Sequence, residues 1–205
     1  MTEAEWLEGS GLDAPVDYLV TEARASERKL RLFACACCRH CRRFPGDHGL
    51  REAVGLMERF ADGLLGEGEY PRYNTFTHDV LTCAVAHGVR RGLPPARRGG
   101  GDAAFRCAVT VSGGDPEGAR ALCALLRDIF GNPFRPVTLD PSWVRPNVTG
   151  LARSIYDERP FGRMPELAVA LENAGGTNED VLAHCRGGGE HVRGCWVVDL
   201  ILGKS

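Results

Sequence analysis

The chain has 205 residues, of which 43% are hydrophobic and 25% charged, with a formal net charge of −2. That length can bury a sizeable core, and the near-neutral balance excludes a global field drawing the protein to nucleic acid or anionic membrane. No apolar run approaches the ~18 residues needed to span a bilayer.

The N-terminus, Met1-Thr2-Glu3-Ala4-Glu5-Trp6, lacks the basic start and apolar stretch of a secretory signal. A cytoplasmic location is therefore expected. Thiols stay reduced there, so the nine cysteines read as packing residues or metal ligands before disulfides. Thr2 and Glu5 form a capping-box pattern ahead of Trp6 and Leu7. Asp13 with Pro15 marks a second helix start. Ser26 is a good N-cap for a longer helix running to about Arg43, which Pro45-Gly46 stops. Asp47 then caps a segment whose apolar positions, from Leu50 to Leu65, recur at helical spacing.

The middle is predicted as a loop over 66–76, a helix from Thr77 through Val89, and a flexible linker over 91–102. The run of three glycines at 99–101 and the two prolines in that linker cannot hold a regular element. Asp115-Pro116 opens a strongly periodic helix through Leu122, Leu125, Leu126 and Ile129, ending at Gly131. The prolines between 131 and 143 predict an extended, packed connector. Helices follow near 145–158, 164–174 and 177–185, the last capped by Thr177 with Asp180 three residues on. The apolar segment 192–202 is consistent with helix or strand, because periodicity alone does not distinguish them.

The chemistry the chain advertises is thiol and imidazole. Four cysteines crowd into Cys35-Ala36-Cys37-Cys38-Arg39-His40-Cys41, and His184, Cys185, His191 and Cys195 lie near the C-terminus. On a helix over 26–43, Cys37 and Cys41 share the inward stripe with Leu30, Phe33 and Ala34. Cys38 falls at its margin and Cys35 near the polar boundary, while Arg28, Arg39 and Arg42 lie opposite. Buried thiols in such a stripe serve as small packing residues. They also supply soft donors for zinc, which takes about four ligands in a tetrahedron. A helix over 190–202 would align His191, Cys195 and Asp199 at every fourth residue. The candidate metal ligands are thus Cys37, Cys41, Cys185, His191 and Cys195. A Cys195 nucleophile with His184 or His191 as base is a further possibility. For Asp199 the alternative is a buried acid paired with an arginine such as Arg193. The basic runs Arg39/Arg42/Arg43 and Arg90/Arg91 with Arg97/Arg98 lack interleaved aromatics and read as solvated faces. No glycine-rich stretch matches a phosphate-binding loop.

Met1–Leu7 (MTEAEWL), Arg28–Arg39 (RKLRLFACACCR), Phe130–Trp143 (FGNPFRPVTLDPSW) and the segment His184–Lys204 resemble an uncharacterised family of planctomycete-type bacterial proteins. The resemblance covers both ends of the chain and implies no assigned activity. Relatives carry a long Ala/Arg-rich helical stretch in the middle, from which this chain departs over 66–115. The family pattern keeps Cys35, Cys37 and Cys38 but usually has an apolar residue where Cys41 stands. That shifts ligand candidacy toward Cys37, Cys185 and Cys195.

The expected fold is all-α, a single bundle-like domain of about eight to ten helices over 1–205 with the proline-rich connector packed on it. The leading functional expectation is a non-enzymatic intracellular interaction or scaffold protein with an unknown protein partner and no cofactor. It predicts an exposed apolar patch around Phe134 and Trp143. The alternatives are a structural or regulatory zinc-binding protein and, third, a Cys–His enzyme.

Overall fold

The computed structural model describes residues 1–23, 25–40, 48–65 and 116–204. Among them the regular secondary structure is entirely helical, as the sequence predicts: α1 (Glu3–Glu8), α2 (Asp13–Thr21), α3 (Glu27–His40), α4 (His48–Ala61), α5 (Pro116–Phe130), α6 (Pro146–Glu158), α7 (Met164–Asn173), α8 (Glu179–Arg186) and α9 (Trp196–Leu202). Short 3₁₀ turns cover Pro141–Trp143 and Phe161–Arg163. The chain divides into two compact units, Met1–Leu125 and Leu126–Ser205. The helix expected from Thr77 and the linker expected at 91–102 lie outside the described residues.

In the first unit the local signals act as read. The Thr2 backbone N–H donates to Glu5 Oε2 at 2.7 Å, and Thr2 Oγ1 accepts from the Glu5 N–H, closing the capping box. Ser26 Oγ accepts from the Lys29 N–H at the start of α3. Helix α3 is more enclosed than its apolar stripe implies. Leu32 through Cys38 are all buried, including Cys35 and Cys38. The assignment of Cys35 to a polar boundary is corrected: its thiol lies 3.9 Å from the Val54 carbonyl of α4, so that helix covers the side assumed to be open.

The expectation of a solvated face also fails for Arg39. Its guanidinium grips buried Glu58 with two bonds, Nε–Oε1 at 2.8 Å and Nη2–Oε2 at 3.0 Å. Arg28 pairs with buried Asp62 at 3.0 Å. Both acids belong to the α4 side, so the two ion pairs set how α3 lies along it. Replacing Arg39 with methionine would leave the Glu58 carboxylate without that bidentate partner. The expected cost is about 2–3 kcal/mol in urea unfolding at neutral pH, toward the lower end for buried pairs because the arginine is partly hydrated.

The second unit is built on α6 to α9. Val148, Ile155, Met164, Leu167, Val181 and Val198 are among the fully enclosed side chains of its core. The connector 131–143 is packed as predicted, with Val137, Leu139 and Trp143 against that core, but its free run of 136–140 lies between a turn at Asn132–Arg135 and the 3₁₀ turn. Asp140 caps its 3₁₀ turn by accepting from the Ser142 N–H at 2.8 Å. Phe134 and Trp143, around which an exposed apolar patch is expected, are half-buried. Helix α8 is capped one residue later than expected. Asn178, rather than Thr177, accepts from the Val181 N–H at 3.1 Å.

Helix or strand over 192–202 is decided as helix, but a short one. Val192–Cys195 form a turn, with the Cys195 N–H donating to the Val192 carbonyl at 3.0 Å, and Cys195 is the N-cap residue of α9. Gly194, at φ +95°, supplies the backbone conformation that this turn requires. Among the described residues, no helix is long and apolar enough to cross a membrane.

Candidate metal centre

Four side chains of the second unit converge: Asp128, His184, His191 and Cys195, with one ligand atom of each within 4.8 Å of all the others. Asp128 projects from the last turn of α5 and His184 from the last turn of α8. His191 comes from the loop after Gly187-Gly188-Gly189, and Cys195 from the N-cap of α9. The expected stripe of His191, Cys195 and Asp199 on one helix is therefore corrected. His191 and Cys195 meet because the chain turns between them, and Asp199 lies on α9 outside the group.

The geometry has a distinctive polarity. His184 Nε2 lies 3.1 Å from Asp128 Oδ1 and 3.2 Å from Cys195 Sγ. His191 Nδ1 lies 2.6 Å from Asp128 Oδ1 and 4.0 Å from Cys195 Sγ. Each imidazole thus turns one and the same nitrogen toward both acid and thiol. A proton relay needs the opposite, with one ring nitrogen on the acid and the other on the nucleophile. Donor atoms facing a common point are instead the arrangement of a ligand cage. Bonds of about 2.0 Å to nitrogen or oxygen and 2.3 Å to sulfur imply tetrahedral edges of roughly 3.3–3.5 Å. The measured edges straddle that range without falling in it: 2.6, 3.1 and 3.2 Å are hydrogen-bond contacts between the donors and 4.0 Å is longer, so an ion would draw the four atoms into place.

The second Asp128 oxygen is held as well, accepting from the Val192 N–H at 2.9 Å. Burial opposes the charge on Asp128. Hydrogen bonds from His184 and His191, with their positive charge, outweigh it and hold the carboxyl below its ordinary range. For His191, burial disfavours the imidazolium, but Asp128 and the Gly187 backbone overcome it and raise its pKa. Cys195 is pushed well above the ordinary thiol value, first by burial and then by the Asp128 charge; the Val197 and Val198 amides pull the other way. Without an ion the group is a neutral thiol beside an ionised acid that two imidazoles solvate. Ring packing fixes the imidazoles further: His184 meets His191 edge-on at 4.9 Å between centroids and Trp196 at 5.1 Å.

Of the ligands expected from sequence, His191 and Cys195 are brought together. Cys185 is buried on α8 beside His184 but outside the four-atom group, and burial with the Asp128 charge pushes its thiol up to about 12. Cys37 is buried in α3 of the first unit, whereas all four converging residues belong to the second. Cys41 lies outside the described residues. Asp199 is buried, as expected, and Arg193 holds its guanidinium 4.5 Å over the Tyr156 ring. Asp128 escaped sequence reasoning altogether. It sits one step beyond the apolar stripe of α5, where an acid reads as surface. The available signal was its place at that stripe's edge. His184 was legible only as a base or a helix-end histidine.

No protein-family model matches this chain, and no curated protein and no solved structure matches it.

Proposed function

We propose that this chain is a metal-binding protein whose C-terminal unit holds one divalent transition-metal ion, zinc for preference, through Asp128, His184 Nε2, His191 Nδ1 and Cys195 Sγ. The observation that carries the proposal is the shared direction of the two imidazoles, each aiming a single nitrogen at the same acid and the same thiol. Two imidazoles, a thiolate and a carboxylate are a borderline-soft set. They suit zinc better than magnesium or calcium, which prefer oxygen. Four protein ligands also fill a tetrahedron, which is the pattern of a structural or regulatory site rather than a catalytic one with an open position.

The Cys–His enzyme has less support. His184 is within reach of Cys195, but the thiol is fully enclosed and its ionisation is suppressed by burial and by Asp128. An interaction or scaffold role with a protein partner is compatible with a metal-braced unit. The most exposed large apolar side chains among the described residues are Leu7, Leu64 and Val169, which stand far apart in sequence and do not by themselves define a docking face.

Elemental analysis of freshly purified protein tests the reading. About one equivalent of zinc is expected in the wild type and in Cys37→Ser, and less than about a tenth in the His184→Ala/His191→Ala double variant. Wild-type protein from zinc-supplemented culture that carries less than about a tenth of an equivalent would end the proposal.

A further inference from the structure

The four ligands are not equally enclosed. Cys195 is 0% exposed, and the side chains of Asp128 and His191 are 4% and 7% exposed, whereas that of His184 is 19% exposed. His184 is therefore the ligand nearest to water, and the edge through which an ion is most readily exchanged. Trp196 stands at that edge. Its ring centroid is 5.1 Å from that of His184, with the planes inclined at 53°.

Trp196 has a seat of its own. A Cβ at Gly131 would lie 3.1, 3.2 and 3.4 Å from Trp196 Cγ, Cδ2 and Cδ1, so the indole rests on bare backbone. Gly131 is also at φ +66°, the left-handed conformation that ends α5. Glycine is thus required there twice, for the turn and for the close approach of the ring. Both parts of this contact are tied to ligands through the chain. Gly131 follows Asp128 by three residues, and Trp196 is the neighbour of Cys195.

We propose that Trp196, seated on Gly131, is a latch over the metal centre: it holds the His184 imidazole in the ligating position and sets the rate at which the ion is exchanged. The latch rests on the metal reading above. An ion held by four ligands leaves after one of them lets go, and the ligand free to swing is the one not enclosed by the core. The indole lies against the His184 ring, 5.1 Å between centroids, where as a latch it would hinder that ring's rotation away from the ion. Partners that orient a ligand typically change metal affinity by about 10- to 100-fold when removed. Trp196 is a positioning residue in this sense, since it acts on the ion through His184.

Release of zinc from the loaded full-length protein to an excess of the chromophoric chelator 4-(2-pyridylazo)resorcinol, followed by stopped flow, tests the latch. Trp196→Leu is expected to release zinc about tenfold faster or more, with Trp196→Phe restoring most of the slow rate because a ring again covers His184. Gly131→Ala should also speed release by displacing the indole. The visible absorption of the cobalt(II)-loaded protein supplies a signature that overall stability does not move, and its band pattern should change in Trp196→Leu. Far-UV circular dichroism identifies any variant that fails to fold, and the leucine and phenylalanine variants do not depend on the strained glycine position. A wild type that takes up neither zinc nor cobalt overturns the metal reading and the latch with it. A wild type that takes up both, with Trp196→Leu releasing zinc within about twofold of its rate and showing the same cobalt spectrum, overturns the latch alone.

Discussion

Replacing Asp128 with asparagine is expected to weaken zinc binding by at least about a hundredfold while the protein stays folded. Asparagine keeps the size of the side chain and one carbonyl oxygen, so the packing at the end of α5 is preserved. It removes the negative charge that faces both imidazoles and presents a weaker donor to the ion. The apo protein changes in a way that can be measured separately. Asp128 has a lowered folded pKa, so its contribution to stability is present above the unfolded carboxylate value and is lost as pH falls through the folded one. His191 has a raised folded pKa, so its contribution is full below the unfolded imidazole value and is lost as pH rises through the folded one. The zinc-free wild type therefore gains most from this pair in mildly acidic solution, between the ordinary carboxylate and imidazole ranges. Urea unfolding with chelator present should show that maximum, and Asp128→Asn should flatten it, with a loss of about 1.5–3 kcal/mol at its peak. An unchanged pH profile together with unchanged zinc affinity would contradict the assignment of Asp128 to the centre.

Zinc affinity is expected to rise steeply with pH, the reverse of the trend in apo stability across the imidazole range. The same groups that hold protons in the metal-free state must release them to bind. Burial and the Asp128 charge keep the Cys195 thiol protonated throughout the neutral range, so each zinc displaces at least one proton. Where His191 is still protonated, its Nδ1 must give up a second. Competition titrations should show the dissociation constant falling by about tenfold per pH unit above the His191 transition and more steeply below it. Cys195→Ser should bind more weakly, because a hydroxyl is a poorer zinc donor than a thiolate. Flat wild-type affinity between pH 6 and pH 8, on a scale of about one proton per ion, would exclude Cys195 as a ligand.

Much of the local structure was legible in the chain. The Thr2–Glu5 box, the Ser26 cap, the Pro116 start and the Gly131 stop each act through atoms a few residues apart. Errors began where neighbours in space override the local pattern. Cys35 reads as peripheral on an isolated helix, yet α4 covers it; Arg39 reads as solvated, yet Glu58 comes from α4 to meet it. The stripe expected on a helix over 190–202 failed for a related reason. The chain turns at Val192–Cys195, and that turn, rather than helical periodicity, brings His191 back toward Cys195.

By itself, then, the sequence determined a mainly helical fold, which the described residues bear out, with thiol and imidazole donors near the C-terminus. Helix caps, stops and apolar periodicity are short-range properties, and donor chemistry belongs to each side chain. The tertiary structure alone decided which donors share a point. Asp128 stands 56 positions before His184 in the chain, in a helix whose pattern assigns the acid to its outer side, and it reaches the centre because α5 ends beside α8 and the Val192 turn. Convergence of that kind depends on packing between helices distant in sequence, which no local spacing encodes.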